Sequence, residues 1–375
     1  MLIHSFQDFA VPALGLGCMR LPCDAAGNVR RAEVAQMVDY AMAHGVNYFD
    51  TGYDYHGGMS EVVLGEVLHK FARDSYLLAD KFPGYAPAYW KRVVEIFETQ
   101  LARCGVDYFD FYMLHNVSEA SIDAYLNPRY HILDYLRAQR EAGRIRHLGF
   151  SAHGSIATIE RLLRESDMPF SFAMIQLNYI DYAFQHAREK MELLQAHGLP
   201  VFVMEPLRGG KLANLPVPFA AEVAARFPEQ SAAEAAFRFV QSFPVGVTLS
   251  GMSNFAQLQE NIAIFDRMQP LSAEERAVLV EIAAKMTAVG TVPCTACGYC
   301  KPYCKMGLDI PNLLAFANEH AFSGGGFIAP SAIASMKRTA RPSACVGCRA
   351  CEEVCPQNIE ISRHLSEFSQ KLNLK

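Results

Sequence analysis

The sequence predicts a TIM (β/α)8 barrel followed by a small domain of different chemistry, and three observations carry that expectation. A short unit recurs along the first part of the chain: a helical stretch ends in Gly and is followed at once by an apolar run. It reads AHGVNYFDT at Gly45, RCGVDYFDFYMLH at Gly105, EAGRIRHLGFS at Gly143 and AHGLPVFVMEP at Gly198. The second observation is the number of such runs, eight. The third is that of 11 cysteines, eight lie from Cys294 onward.

Each element follows from local chemistry. Gly after a helix supplies the left-handed residue that closes its last turn, and continuous apolar runs suit strands buried on both faces. The predicted strands span residues 13–18, 46–51, 76–82, 107–115, 145–152, 172–180, 200–206 and 245–251. Between them the apolar positions take the helical period, as with Val34, Met37, Val38 and Ala41, or Val93, Ile96, Phe97 and Leu101. Eight alternating βα units in about 285 residues is the size and rhythm of a TIM barrel. The alternative, an open doubly wound sheet, would place Gly-x-Gly-x-x-Gly after the first strand, and the sequence has none there. An amphipathic stretch from Ser272 to Met286 closes the barrel, so the expected domains are 1–286 and 287–375.

Composition narrows the function classes. Hydrophobic residues make up 51% and charged residues 19% of 375, which excludes a disordered or low-complexity chain. A net charge of −5 argues against nucleic acid or an anionic membrane as partner. The start MLIHSFQDFAVP lacks the basic, long apolar pattern of a signal peptide, and no apolar run suits a membrane span, so the expected location is cytoplasmic.

In such a barrel the active site lies at the C-terminal ends of the strands. The second predicted strand ends in Asp50 and runs into Tyr53, Asp54, Tyr55 and His56; the third ends in Lys81 and the fourth in His115. A phenol is a weak acid at neutral pH; a neighbouring ammonium stabilises the phenolate, and a carboxylate keeps that ammonium charged and aimed. A His beside them orients a carbonyl oxygen. Taken singly, a Lys or His at a strand end is most often a solvated residue. Four together on consecutive strands make a device for protonating an alkoxide.

FDTGYDYHGG with the following SEVVLGEVL, then ADKF, then DYFDFYMLH, resembles the aldo-keto reductases over residues 1 to about 270. The resemblance implies a catalytic tetrad of Asp50, Tyr55, Lys81 and His115, with Tyr53 the competitor for the phenol, and NADP(H) as hydride donor, with NAD as the alternative. It implies nicotinamide contacts at Ser151 and Gln176, with Ala152 where the family has Asn and Met204 where it has a stacking aromatic. It places the phosphate end at Gly251, Ser253 and Asn254, ahead of a helix whose N-terminus suits anions, with Gln257 where an Arg often stands and Asn261 further along. Arg208 and Lys211, in a Gly-rich loop, are candidates for the pyrophosphate or plain surface charges.

The tail reads Cys294-x-x-Cys297-x-x-Cys300-x-x-x-Cys304 and then Cys345-x-x-Cys348-x-x-Cys351-x-x-x-Cys355-Pro356. This resembles the bacterial ferredoxin pattern for two [4Fe-4S] clusters, in which the fourth cysteine serves the other cluster. The expected fold class is therefore a barrel plus a small α-helical ferredoxin-like 2x[4Fe-4S] domain. One cluster would take Cys294, Cys297, Cys300 and Cys355, the other Cys345, Cys348, Cys351 and Cys304. Structural zinc uses C-x-x-C pairs with a longer gap, and disulfides need an oxidising compartment. Cys18, Cys23 and Cys104 have no partner spacing and read as buried thiols.

The whole chain resembles a ferredoxin-fused aldo-keto reductase. Nicotinamide moves two electrons as hydride and each cluster moves one, so direct exchange needs a flavin, for which no motif is visible. Two readings stay open: a reductase of a small aldehyde or ketone, or an electron-transfer protein that serves a redox partner protein and uses the barrel as a scaffold.

Overall fold

The first ten residues after the start form what the strand count omits, an antiparallel hairpin of β1 (Ile3–Ser5) and β2 (Ala10–Pro12). Phe9, at its turn, sets its ring edge-on to Phe111 at 5.2 Å and Phe202 at 5.9 Å, so the hairpin plugs the N-terminal end of the barrel. The structure is a computed structural model. It describes every residue except Gln7, Asp8, Ala120, Val289, Pro293, Thr295 to Cys297, Tyr299, Phe327, Pro356 to Asn358 and Lys375.

Eight parallel strands then close the barrel: β3 (Leu14–Gly17), β4 (Tyr48–Asp50), β5 (Leu77–Phe82), β6 (Phe109–Val117), β7 (Ile145–Ala152), β8 (Phe172–Gln176), β9 (Val201–Met204) and β10 (Thr248–Ser250). β10 pairs with both β3 and β9, which completes the ring. The glycines that announced the pattern do what the chain requires, with Gly45, Gly105, Gly143 and Gly198 all at positive φ, from 64° to 77°.

Six strands are shorter than the sequence suggests, β8 and β10 by the most. β8 stops at Gln176 because the Asn178 side chain turns the chain, accepting from the backbone N–H of Ile180 (3.0 Å) and Asp181 (2.8 Å). The last strand begins only at Thr248, after Pro244 and Gly246, neither of which favours a ladder.

A floor of Tyr48, Ala79, Phe111, Met113, Phe172, Met174, Phe202, Val247 and Leu249 fills the barrel. Side chains alternate along a strand, so the residue two places further on points the same way, one layer higher. Stepping by two from Tyr48, Ala79, Met113, Met174 and Phe202 leads to Asp50, Lys81, His115, Gln176 and Met204. The floor therefore dictates which side chains converge at the mouth.

The chain divides into two compact units, Met1–Ile282 and Ala283–Lys375, the division falling within the helix Ala273–Ala288. The second unit builds its core from Leu313, Leu314, Ile333, Leu365 and Phe368, on the helices Ile310–Ser323, Ile328–Ser335 and Ile361–Lys371. Cys300 and Cys351 are buried in that core, and Cys294, Cys304, Cys345 and Cys355 pack against it half-buried. Among the described residues no helix is long and apolar enough to cross a membrane.

Candidate active site

At the mouth, Lys81 Nζ donates to Asp50 Oδ1 at 2.6 Å and to the carbonyl oxygen of Thr51, with the Lys81 and Asp50 side chains 3% and 6% exposed. The same ammonium lies 4.9 Å from the centre of the Tyr55 ring. Tyr55 stands edge-on to His115 with centroids 5.9 Å apart. The four residues expected to form the tetrad are thus together. Tyr53 is elsewhere, under the Arg103 guanidinium at 4.8 Å and beside Tyr89.

Local backbone makes this possible. Tyr55 starts a tight turn whose next three residues are left-handed, His56 at φ 52°, Gly57 at 64° and Gly58 at 87°. Gly58 must be glycine twice over, since a Cβ there would also lie 2.7 Å from Arg103 Nη1, the donor to buried Glu61. A bulge does the same service for His115: the β6–β7 register shifts between Leu114 and Val117, with Asn116 at φ 56°. Ser151 Oγ accepts the Asn116 N–H at 2.8 Å, and the Tyr125 hydroxyl donates to the His115 carbonyl at 2.6 Å.

Burial governs the protonation states. It raises the Tyr55 phenol, Lys81 pulls it back down and Asp50 opposes Lys81, leaving the pKa above 10.0. The lowering expected from Lys81 is real but smaller than desolvation. Burial pulls Lys81 down as well, yet Asp50, Tyr55 and Asp80 outweigh it and hold the ammonium above its ordinary value. Burial, Lys81 and His153 push His115 well below 6.5, so its imidazole is neutral. His115 Nδ1 is sealed without a hydrogen-bond partner. An orphaned buried N–H is costlier than an orphaned lone pair, which places the proton on Nε2.

The residues expected along the cofactor trough divide. Gln176 and Met204 share the layer of the tetrad, and Ser151 is tied to the bulge. The Asn254 side chain caps the helix Phe255–Arg267 by accepting from Gln257 N at 2.9 Å, while Gln257 Oε1 accepts from Ser253 N at 2.8 Å, next to exposed Gly251. Lys211 stays half-buried at the Gly-rich loop. Two of these residues are buried and engaged within the protein. Arg208 is 4% exposed, its Nε 3.2 Å from both Asp181 oxygens, and Asn261 is 3% exposed, donating to Ser250 Oγ at 3.0 Å. In both cases a buried partner captures a polar group that the sequence alone leaves free.

Sequence reasoning missed Arg20. It crosses between the two loops: a Cβ on Gly209 would lie 2.9 Å from its Nη2 and one on Gly251 3.1 Å from its Cδ. It also missed His153, directly after β7, although a His at a strand end is the same signal that exposed His115. Of the stray thiols, Cys18 and Cys104 are buried, whereas Cys23 is half-buried with Sγ 3.5 Å from His56 Nδ1.

In the second unit Cys304, Cys345, Cys348 and Cys351 line one pocket, walled by Leu308, Ile310 and Leu365. Leu308 N–H donates to Cys304 Sγ at 3.3 Å. Soft thiolates, an apolar wall and a backbone donor to sulfur are what an iron–sulfur cubane requires, so these residues fit the group. Among the described residues no three His, Cys, Asp or Glu side chains converge closely enough to hold a single metal ion. Of the other expected set, Cys294, Cys300 and Cys355 lie around the same core and Cys297 is outside the described residues.

The sequence pattern of the Aldo/keto reductase family matches residues 13–284. The chain belongs to the aldo/keto reductase family. A second pattern, the 4Fe-4S dicluster domain, matches residues 293–360. The L-galactose dehydrogenase of Arabidopsis thaliana is 26% identical over 292 residues, covering 72% of this chain and 88% of the relative. The uncharacterized oxidoreductase YqkF of Bacillus subtilis is 24% identical over 288 residues, covering 68% and 88%. Among solved structures, the holo form of aldo-keto reductase AKR11C1 from Bacillus halodurans aligns with TM-score 0.60 and 26% identity over 73% of this chain and 93% of its own. The Klebsiella pneumoniae aldo/keto reductase, in complex with NADP and acetate, has the same fold at TM-score 0.58 and 23% identity, covering 73% and 92%. This aldo/keto reductase is thus an oxidoreductase of barrel fold with a 4Fe-4S dicluster domain attached.

Proposed function

We propose that the barrel reduces an aldehyde or ketone, with Tyr55 giving the proton. The observation that carries this reading is the Lys81 ammonium, 2.6 Å from Asp50 and over the Tyr55 ring. Bound NADPH, or NADH as the alternative, would supply the hydride. As negative charge builds on the substrate oxygen, the Tyr55 hydroxyl and the His115 Nε2–H donate to it. A phenol held above its ordinary pKa keeps its proton through the physiological range and yields it only to a base as strong as a nascent alkoxide. Lys81 then stabilises the phenolate left behind, and Asp50 keeps Lys81 charged.

Tyr55→Phe tests this in anaerobically prepared protein. Loss of a general acid lowers kcat for carbonyl reduction by about 10²- to 10⁴-fold, with NADPH affinity retained. Reduction at the wild-type rate would remove Tyr55 from the reaction.

The tail is proposed to carry two [4Fe-4S] clusters, one on Cys294, Cys297, Cys300 and Cys355 and one on Cys345, Cys348, Cys351 and Cys304. Such clusters supply one-electron transfer. The single cavity shared by Cys304 with the second motif supports the exchanged fourth ligand. Exposure of Cys348 favours a second role, exchange of electrons with a redox partner protein, with a flavin as the intermediary if those electrons reach hydride chemistry. Cysteines kept reduced for iron ligation suit a cytoplasmic setting, which belongs to this reading.

A further inference from the structure

Between β5 and the helix Val93–Cys104 the chain runs from Pro83 to Arg92 as a strap beside the tetrad. Its root is fixed. Gly84 N–H donates to the Tyr125 hydroxyl at 3.1 Å, Trp90 Nε1 donates to the Gly84 carbonyl at 2.9 Å, and a Cβ on Gly84 would collide with the Tyr125 ring. The same Tyr125 hydroxyl donates to the His115 carbonyl at 2.6 Å. The strap is thereby tied to the strand end that carries His115.

One residue further on, the Tyr85 ring packs on the His115 imidazole, centroids 5.1 Å apart and planes at 87°, nearer than the Tyr55 ring at 5.9 Å. Such perpendicular pairs are in edge-to-face contact. The Tyr85 hydroxyl donates to Asp54 Oδ2 at 2.5 Å, and the Tyr89 hydroxyl donates to Asp54 Oδ1 at 2.9 Å. Both carboxylate oxygens of Asp54 are therefore committed to the strap, and phenol-to-carboxylate bonds are of the strong, short kind. Asp54 directly precedes Tyr55 in the chain. Tyr85 thus touches one expected donor to the substrate oxygen with its ring and is held by the neighbour of the other with its hydroxyl. Asp54 is exposed, whereas Met113, one layer beneath His115, is fully buried in the floor, so Tyr85 stands on the solvent side of the imidazole.

That position matters because of how a carbonyl must lie. An sp2 oxygen accepts in the plane of its substituents, along two lone-pair directions. With the Tyr55 hydroxyl on one and His115 Nε2–H on the other, one substituent of the carbonyl carbon falls on the Tyr55 side and the second on the His115 side. The second meets the ring that packs on His115. A hydrogen fits there, but a carbon chain requires the ring to move, and both its face contact and its hydroxyl are held.

We propose that Tyr85 is the specificity-determining residue that makes this an aldehyde site rather than a ketone site, with Asp54 the positioning residue that holds it there. This rests on the reductase reading. It goes beyond it because the tetrad protonates either alkoxide alike, and the wall is what discriminates.

The test compares kcat/KM for butanal and for its isomer 2-butanone in anaerobically prepared full-length protein, for wild type, Tyr85→Ala, Tyr85→Trp and Asp54→Ala. One methylene in an apolar pocket is discriminated by roughly 10- to 200-fold. The ratio favouring butanal is expected to fall by a factor in that range in Tyr85→Ala, through a gain in 2-butanone reduction with butanal near its wild-type value. It falls partway in Asp54→Ala, where the ring remains but is loose. In Tyr85→Trp, which enlarges the wall, it rises, and that variant decides the matter should Tyr85→Ala not fold. An unchanged ratio in any of the three overturns the proposal. So does a ratio that falls because butanal reduction is lost, since Tyr85 then only supports His115. If wild type reduces neither compound, the reductase reading fails separately. The wall is then judged with unreactive carbonyls, N-propylformamide and N-propylacetamide, titrated by NMR. Wild type is expected to bind the first more tightly and Tyr85→Ala to bind both alike; the same preference in both proteins, or no binding to either, overturns it.

Discussion

Replacing Asp50 by Asn removes the counter-charge of a lysine that has almost no access to water. Lys81 and Asp50 side chains are 3% and 6% exposed and 2.6 Å apart, so the pair is fully committed. Removing one partner of such a buried pair costs about 3–5 kcal/mol. Lys81 keeps its bond to the Thr51 carbonyl, which puts Asp50→Asn at the lower end, about 3 kcal/mol. Lys81→Met costs less, because burial already raises the Asp50 pKa and the stranded carboxyl can take up a proton. In the double variant no buried charge is left, so the two losses do not add, and a coupling of about 2 kcal/mol is expected.

The pH dependence gives a second handle. In wild type the folded pKa of Lys81 lies above its ordinary 10.5, so the stability it contributes is complete below 10.5 and constant from pH 7 to 9. In Asp50→Asn the downward pull of burial is unopposed by that partner and the folded pKa drops below 10.5. The unfolded chain then binds the proton more readily, and the variant gains stability as pH rises, by up to about 1.4 kcal/mol per pH unit. Urea unfolding followed by the fluorescence of Trp90, the one tryptophan in the chain and part of the barrel, reads both effects. An Asp50→Asn midpoint within about 0.5 kcal/mol of wild type, at pH 7 and at pH 9, would refute the reasoning.

Two further outcomes follow from other parts of the structure. Cys351→Ser is expected to cut the iron of anaerobically purified protein from about eight to about four per chain and to weaken the visible absorbance bleached by dithionite, while Cys104→Ser, buried in the barrel, leaves iron content unchanged. Burial, Lys190 and Lys81 depress His153 from 6.5 to about 3. The unfolded chain therefore takes up the proton first, and stability falls as pH drops from 6.5 toward 3, by at most about 1.4 kcal/mol per pH unit from this group. His153→Gln flattens the fall, measured as unfolding midpoints from pH 7 to 5; an identical slope in both proteins counts against a buried neutral imidazole.

The barrel was legible in the chain because its determinants are local. A helix closed by Gly and followed by a continuous apolar run needs nothing distant to be recognised, and a period of two along each strand decides that Asp50, Lys81 and His115 share a layer once Tyr48, Ala79 and Met113 form the floor. Cysteine spacing is likewise covalent information, and the two four-cysteine runs state their pattern without a fold. The N-terminal hairpin escaped notice because its strands have three residues each, and its purpose, Phe9 against Phe111 and Phe202, appears only when the barrel closes.

By itself, then, the sequence determined the barrel, the four side chains at its mouth and the cysteine pattern of the tail. Tertiary structure alone decided which polar groups have partners. Arg208 meets Asp181 and Asn261 meets Ser250, so two residues that look free in the chain are engaged. The physical reason is that desolvation and pairing depend on elements 10 to 30 or more residues away, such as the 27 between Asp181 and Arg208, and no local pattern records them. Phenol acidity follows the same rule: the chain shows that Lys81 accompanies Tyr55, but only the depth of the mouth shows burial outweighing it.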